Sequence, residues 1–150
     1  MNKVLSVLVG ILFLAFQGPV MAEEPAENLA GLEYWNNLKQ EAVETESGLQ
    51  YKVLIMGKGA KPKPRTKVKV HYRGLFLNGS TFDSSFHEDE PVLLSLKGVI
   101  DGWQEGIPLM PTGSVFIFLI PPELAYGERG SDAIPPNATL IFEVELFKKD

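Results

Sequence analysis

The chain has no cysteine. That absence excludes disulfides, thiol nucleophiles and cysteine-based metal sites together, so the folded unit must be held by its core alone. Histidine is nearly as scarce, His71 and His87 being the only two. His71 falls on the polar side of an alternating stretch, where exposure to solvent is expected. There is no HExxH pair, no Gly-x-Ser-x-Gly elbow and no phosphate-cradling glycine loop. The acidic trio Glu88, Asp89 and Glu90 recurs nowhere in a spacing that would complete a coordination sphere. No metal and no cofactor is therefore expected. Positive charge is in deficit, 14 Lys and Arg against 19 Asp and Glu for a formal net charge of -5. Such a balance gives no support to nucleic acid as a partner, which would call for a basic face.

The 150 residues, 45% hydrophobic and 22% charged, fit one globular domain rather than two. The N-terminus reads separately. Lys3 supplies a positive start, residues 4–16 are almost wholly apolar, and Val20-Met21-Ala22 has small residues where a signal peptidase reads. Residues 1–22 are thus expected to be a secretory signal cleaved after Ala22. The alternative is a membrane anchor, but the apolar run is about a dozen residues where a spanning helix needs about 20. The expected location is outside the cytoplasm, in a bacterial periplasm, with no membrane attachment after cleavage. Residues 23–47 follow as a short helical extension and linker. Leu29, Leu32 and Trp35, with Tyr34 and Leu38 alongside, recur there at helical spacing.

From Leu49 the period changes to two. Leu49, Tyr51, Val53 and Ile55 alternate with Gln50, Lys52 and Leu54, and residues 57–65 carry two glycines and two prolines as a loop. Val68, Val70 and Tyr72 then alternate with Lys67, Lys69, His71 and Arg73, the mark of a strand with one buried and one wet face. Asn78-Gly79 is the favoured pair for a two-residue hairpin turn. Residues 92–96, 114–120 and 139–147 read as further strands. Residues 99–110 are the one helical candidate in the body, with Asp101 near the start and Pro108 at the close. The inventory is an α+β domain of five or six antiparallel strands with one short helix across the sheet.

An enzyme without nucleophile, metal or acid–base pair would need another kind of site. Tyr72, Phe82, Trp103, Tyr126 and Phe142 offer one, each beside a Gly, Pro or Asp. Composition alone leaves two readings open, an aromatic pocket or simple core filling.

Sequence context separates them. The strings are Val70-His71-Tyr72-Arg73-Gly74, Thr81-Phe82-Asp83-Ser84-Ser85, Val99-Ile100-Asp101-Gly102-Trp103-Gln104-Glu105-Gly106 and Pro122-Glu123-Leu124-Ala125-Tyr126-Gly127. A fifth is Ile134-Pro135-Pro136-Asn137-Ala138-Thr139-Leu140-Ile141-Phe142-Glu143-Val144. Together, in this order and spacing, they resemble the FKBP family of peptidyl-prolyl cis–trans isomerases, over residues 48–150. The lead-in Glu46-Ser47-Gly48-Leu49-Gln50-Tyr51 and the signal resemble its exported, Mip-like bacterial branch.

The resemblance implies an antiparallel sheet half-wrapped around the short helix, with an apolar pocket between them. It implies Trp103 as the pocket floor and Tyr72, Phe82, Val99, Ile100 and Phe142 as walls. Tyr126 and the Ile100 amide would donate hydrogen bonds to a bound carbonyl. Asp83 would be the pocket carboxylate, Leu94 a further wall and Ile134 the rim. The implied substrates are proline-containing, unfolded or partly folded polypeptides, with rapamycin-like macrolides as a further ligand class. A monomer is expected. Three departures from the family pattern stand out: Leu94 where Phe is usual, Glu88 where many relatives carry Arg, and a residue 130–134 loop shorter by one. A pocket altered in this way would also suit a binding module that holds proline-containing clients without turning them over.

Overall fold

The computed structural model describes residues 30–149. The expected signal peptide and the start of the extension lie outside the described residues. The elements run in order as α1 (Ala30–Leu38), a 3-10 turn (Lys39–Glu41), β1 (Val43–Glu44), β2 (Gln50–Ile55), β3 (Lys67–Phe76), β4 (Thr81–Ser84) and β5 (Val92–Ser95). They continue as α2 (Asp101–Gly106) with a 3-10 turn at Ile107–Leu109, β6 (Val115–Ile120) and β7 (Leu140–Phe147). All strands pair antiparallel in one sheet of order β1-β2-β6-β7-β3-β4, with β5 alongside β4 on the same edge of β3. The α+β class, the short central helix and the helical extension are as expected. Among the described residues there are seven strands rather than five or six, because the two-residue β1 is too short to show a period.

The inner face of the sheet follows the alternation. Val68, Val70, Phe116, Phe118, Ile120, Leu140, Val144 and Leu146 bury against α2 and the segments flanking it. Helix α2 can sit that low because two of its six residues are glycine. A side chain at Gly102 would come within 2.6 Å of Ile120, and one at Gly106 within 2.6 Å of Phe118. The helix is held at its start by the Gln104 side-chain amide, which donates to the Val99 carbonyl at 2.8 Å.

The outer face explains what alternation leaves over. Ile117, Ile141 and Leu75 point away from α2 yet are buried. Trp35 of α1, itself 2% exposed, packs on all three. A strand covered on both faces reads as a continuous apolar run, which is what residues 115–120 are. The extension is therefore a second layer on the sheet from Ala30 onward and not a free linker. Its anchor is polar as well. The Tyr34 hydroxyl donates to Glu143, which also accepts from Arg73 at 2.9 Å on the neighbouring strand.

Three local expectations change. The hairpin between β3 and β4 has three loop residues, not two: Gly79 N–H donates to Phe76 O, and Phe76 N–H donates to Ser80 O. Only Gly79 has positive φ (84°), so Asn78 cannot complete the mirror-image two-residue turn. His71 is half-buried rather than free in water, stacked on Phe86 at 5.1 Å and 3.1 Å from the Ser85 hydroxyl. Ile55, in phase with Leu49, Tyr51 and Val53 in the alternation, is 57% exposed, because a bulge between Val53 and Ile55 rotates the end of β2.

Candidate functional site

A cavity of about 260 Å³ opens between the inner sheet face and α2. Strand β3 supplies Tyr72, β4 Phe82 and Asp83, β5 Leu94 and β7 Phe142. The turn into α2 supplies Gly98, Val99 and Ile100, the helix Trp103, and the loop before β7 Tyr126. Nine of the ten residues singled out from the sequence thus meet around one space. Gly98 was not anticipated; having no side chain, it lines the cavity with backbone and leaves no residue-type signal.

Ile134 is the residue that does not join them. It is 4% exposed and packed in the inner core. A tight turn puts it there: Ser131 N–H donates to Ile134 O at 2.8 Å and Ile134 N–H returns to Ser131 O at 3.2 Å. That turn directs the side chain inward instead of leaving it on the rim.

The aromatic rings interlock at right angles. Trp103 meets Tyr72 at 5.1 Å and 87°, and Phe142 at 5.3 Å and 82°; Phe142 meets Phe82 at 5.4 Å and 88°. Edge-to-face pairs of this kind contribute about 0.5–1.5 kcal/mol beyond their burial. Gly74, between them on β3, makes the packing possible, since a Cβ there would fall 2.5 Å from the Phe82 ring. Trp103 is 4% and Phe142 5% exposed, so the floor belongs to the core as much as to the cavity. The Trp103 indole N–H is buried with no acceptor among the described residues. Packing alone fixes that ring.

Polar groups around this apolar surface are few. The Tyr72 hydroxyl donates to Asp83 Oδ2 at 2.7 Å. Burial, then that hydrogen bond and the charge of Asp83, raise the Tyr72 hydroxyl well above an ordinary phenol, and nearby Tyr126 adds to the shift. The pair stays a protonated phenol on an acceptor, and no cation forms an ion pair with Asp83 among the described residues. Glu88 has the His87 ring beside it, Nε2 lying 3.3 Å from the carboxylate. Tyr126 is 39% exposed, and its hydroxyl has no partner among the described residues. The Ile100 amide, one residue before α2, likewise donates to none of them. Two unused donors therefore stand over a largely aromatic hollow. Such a space can hold a small apolar ring and bind a carbonyl.

Comparison with known proteins agrees with this geometry. Residues 58–147 match the model of a family described as FKBP-type peptidyl-prolyl cis-trans isomerase. The chain is 56% identical over 112 residues to the FKBP-type peptidyl-prolyl cis-trans isomerase FkpA of Aeromonas hydrophila, covering 74% of this chain and 42% of that protein. It is 50% identical over 125 residues to the FKBP-type 22 kDa peptidyl-prolyl cis-trans isomerase of Escherichia coli K12, covering 82% and 60%. Among solved structures, FkpA from Escherichia coli superposes with a TM-score of 0.72 at 42% identity, covering 82% of this chain and 59% of that one. The chain spans between about two fifths and three fifths of the length of these relatives.

Proposed function

The chain belongs to the FKBP-type peptidyl-prolyl cis-trans isomerase family, and from that premise we propose that it interconverts the cis and trans forms of X-Pro bonds in exported, unfolded or partly folded polypeptides. The observation carrying this reading is the Trp103-floored aromatic hollow with the free Tyr126 hydroxyl at its edge. An amide C–N bond resists rotation by about 18–20 kcal/mol because resonance gives it double-bond character. In X-Pro both isomers are populated, yet exchange takes tens of seconds or longer. Halfway through rotation the resonance is lost, the carbonyl carries less charge and the nitrogen becomes pyramidal. A surface of aromatic faces and edges disfavours the dipolar planar amide relative to the twisted one and grips the proline ring. Trp103, Tyr72, Phe82 and Phe142 would supply that surface. Tyr126 and the Ile100 amide would hold the neighbouring carbonyls, while Val99 and Leu94 narrow the sides. Asp83 would orient Tyr72 through their hydrogen bond and leave a negative charge at the mouth.

On this reading residues 48–150 are the isomerase domain, and the segment from Ala30 braces its outer face. The chain acts as a monomer in a periplasm after loss of residues 1–22. Rapamycin-like macrolides, which present an apolar ring beside carbonyls, would occupy the same hollow. A proline-peptide assay on the purified chain tests the assignment, with Tyr126→Phe as the mildest probe. Loss of one hydrogen bond, about 0.5–1.5 kcal/mol, lowers kcat/KM by about 2- to 12-fold if the hydroxyl binds a carbonyl in the transition state. An unchanged value removes Tyr126 from the site. A folded wild type that protects clients from aggregation with no turnover would make it a binding module instead.

A further inference from the structure

The net charge of -5 conceals a segregation. Residues 47–82 contain no Asp or Glu but hold eight of the chain's 14 Lys and Arg. The fold collects much of this charge at one end. The loop between β2 and β3 is pinned along residues 112–114: Gly57 N–H donates to the Ser114 hydroxyl at 2.9 Å, Gly59 N–H to Thr112 O at 3.0 Å, and Thr112 N–H to Ala60 O at 3.1 Å. Held this way, Lys58, Lys61, Lys63, Arg65 and Lys67 are all exposed. The end of β7 adds Lys148 and Lys149, which share with Lys61 and Lys67 a shallow cavity of about 240 Å³. None of these seven cations has an ion-pair partner among the described residues. The nearest acid on β7 is Glu145, before the strand ends.

Exposed apolar side chains lie at the same end. The bulge that turns Ile55 outward leaves three consecutive large residues in water: Leu54 40%, Ile55 57% and Met56 58% exposed. Ile55 pairs with Val115, next to the Ser114 that holds Gly57. Apolar side chains are thus continuous along the chain with the cationic loop.

We propose that this end of the sheet is a peripheral docking surface for an anionic phospholipid bilayer, in place of the expectation that the chain makes no membrane contact once residues 1–22 are lost. Ile55 and Met56 enter the boundary between headgroups and acyl chains, and the lysines and Arg65 meet the lipid phosphates. Stable attachment of a soluble domain takes two signals, an apolar insertion and a cluster of basic residues, and both occur here within a dozen residues. A nucleic acid fits less well, since residues 54–67 contain no aromatic side chain on which a base could stack, and Phe147 in the cavity is half-buried against His71. No helix among the described residues is long and apolar enough to cross a membrane, so the contact is superficial. Lys67 lies five residues along β3 from Tyr72, or about 17 Å at strand rise. A docked chain keeps its pocket clear of the lipid and open to polypeptides near the membrane surface.

Vesicle co-sedimentation of the full chain tests this, comparing phosphatidylcholine vesicles with mixed phosphatidylcholine–phosphatidylglycerol vesicles. The apolar residues 4–16 are common to every variant, and their contribution is read from the neutral vesicles. Binding is expected to be stronger on the anionic vesicles and to weaken steeply between about 0.1 M and about 0.5 M salt. It should fall about 20- to 30-fold in Lys61→Gln/Lys63→Gln, at roughly fivefold per charge. Ile55→Ser/Met56→Ser should weaken it with charge unchanged. Equal binding to both vesicle types, or no response to the lysine pair, overturns the proposal. Full retention of vesicle binding in the Ile55/Met56 pair, or preferential binding of duplex DNA, overturns it in favour of a general polyanion site. Unaltered circular dichroism and proline-peptide turnover in the variants confirm that only the surface has changed.

Discussion

Replacing Trp35 by alanine asks whether the N-terminal helix is part of the folded unit. Trp35 is 2% exposed against Leu75, Ile117 and Ile141 on the outer face of the sheet. A buried tryptophan removes on the order of 200 Å² from water, and its truncation to alanine costs about 3–5 kcal/mol once the cavity is included. Spread over a folded unit of this size, that lowers Tm by about 10–20 °C. The chain has only two tryptophans, so Trp35→Ala leaves Trp103 as the sole indole, on the opposite face of the sheet. If α1 melts together with the sheet, Trp103 fluorescence and far-ultraviolet circular dichroism shift together by that amount. Proline-peptide turnover at low temperature stays near wild type, because the residues Trp35 packs on are on the outer face and none of them lines the pocket. A shift below about 1 kcal/mol, or a Trp103 transition that stays at its wild-type midpoint, would refute the reasoning. The helix would then be a separately melting appendage.

Other outcomes follow from the same packing. Phe142→Ala removes a pocket wall that is also core, and should cost about 3–5 kcal/mol in urea denaturation as well as activity; Phe142→Leu should spare most of the stability, and an equal loss in both would mean that shape rather than volume matters. Tyr34 supplies a pH signature: burial first, then its hydrogen bond to Glu143 and that carboxylate's charge, push the hydroxyl up to about 12 against the opposing pull of Arg73. Because the folded value lies above the usual 10, the stability from the protonated hydroxyl is complete below about pH 10 and lost as pH rises through about 12. Alkaline titration at the phenolate absorbance should therefore show late ionisation from two tyrosines, of which Tyr34→Phe removes the Tyr34 share and leaves that of Tyr72; a late amplitude unchanged in the variant would assign it elsewhere. Gly74→Ala should collapse the Phe82 and Phe142 rings into the hollow, since the new methyl lies 2.5 Å from Phe82. Macrolide affinity should drop at least tenfold by calorimetry, and wild-type affinity would show that the rings can move aside.

Much of the pocket was legible because its residues sit in strings with fixed order, and because the alternation on β3 and β7 points Tyr72 and Phe142 to the same face as the buried valines. Ile134 was not legible, because its direction depends on two backbone hydrogen bonds across a loop that the sequence gives only as a length. Gly98 could not be seen, since a residue without a side chain carries no chemistry to read. The second layer on the sheet had a signal that alternation alone passes over. Ile117 and Ile141 are apolar at positions that should face water, and the amphipathic segment around Trp35 had no other partner to bury against. The bulge in β2 leaves no mark in composition, so the alternation alone puts Ile55 in phase with the buried Leu49. Net charge is silent in a similar way, because averaging over 150 residues hides a basic end and an acidic remainder.

The most direct measurement is the catalysed cis–trans exchange rate of a short X-Pro peptide by the wild-type chain and by Trp103→Leu, with folding of both verified by circular dichroism. Fast exchange by wild type and its loss in a folded Trp103→Leu are expected if the aromatic hollow stabilises the twisted amide. Exchange that proceeds equally well without the indole floor would contradict that mechanism, and a folded wild type with no exchange at all would contradict the proposed activity.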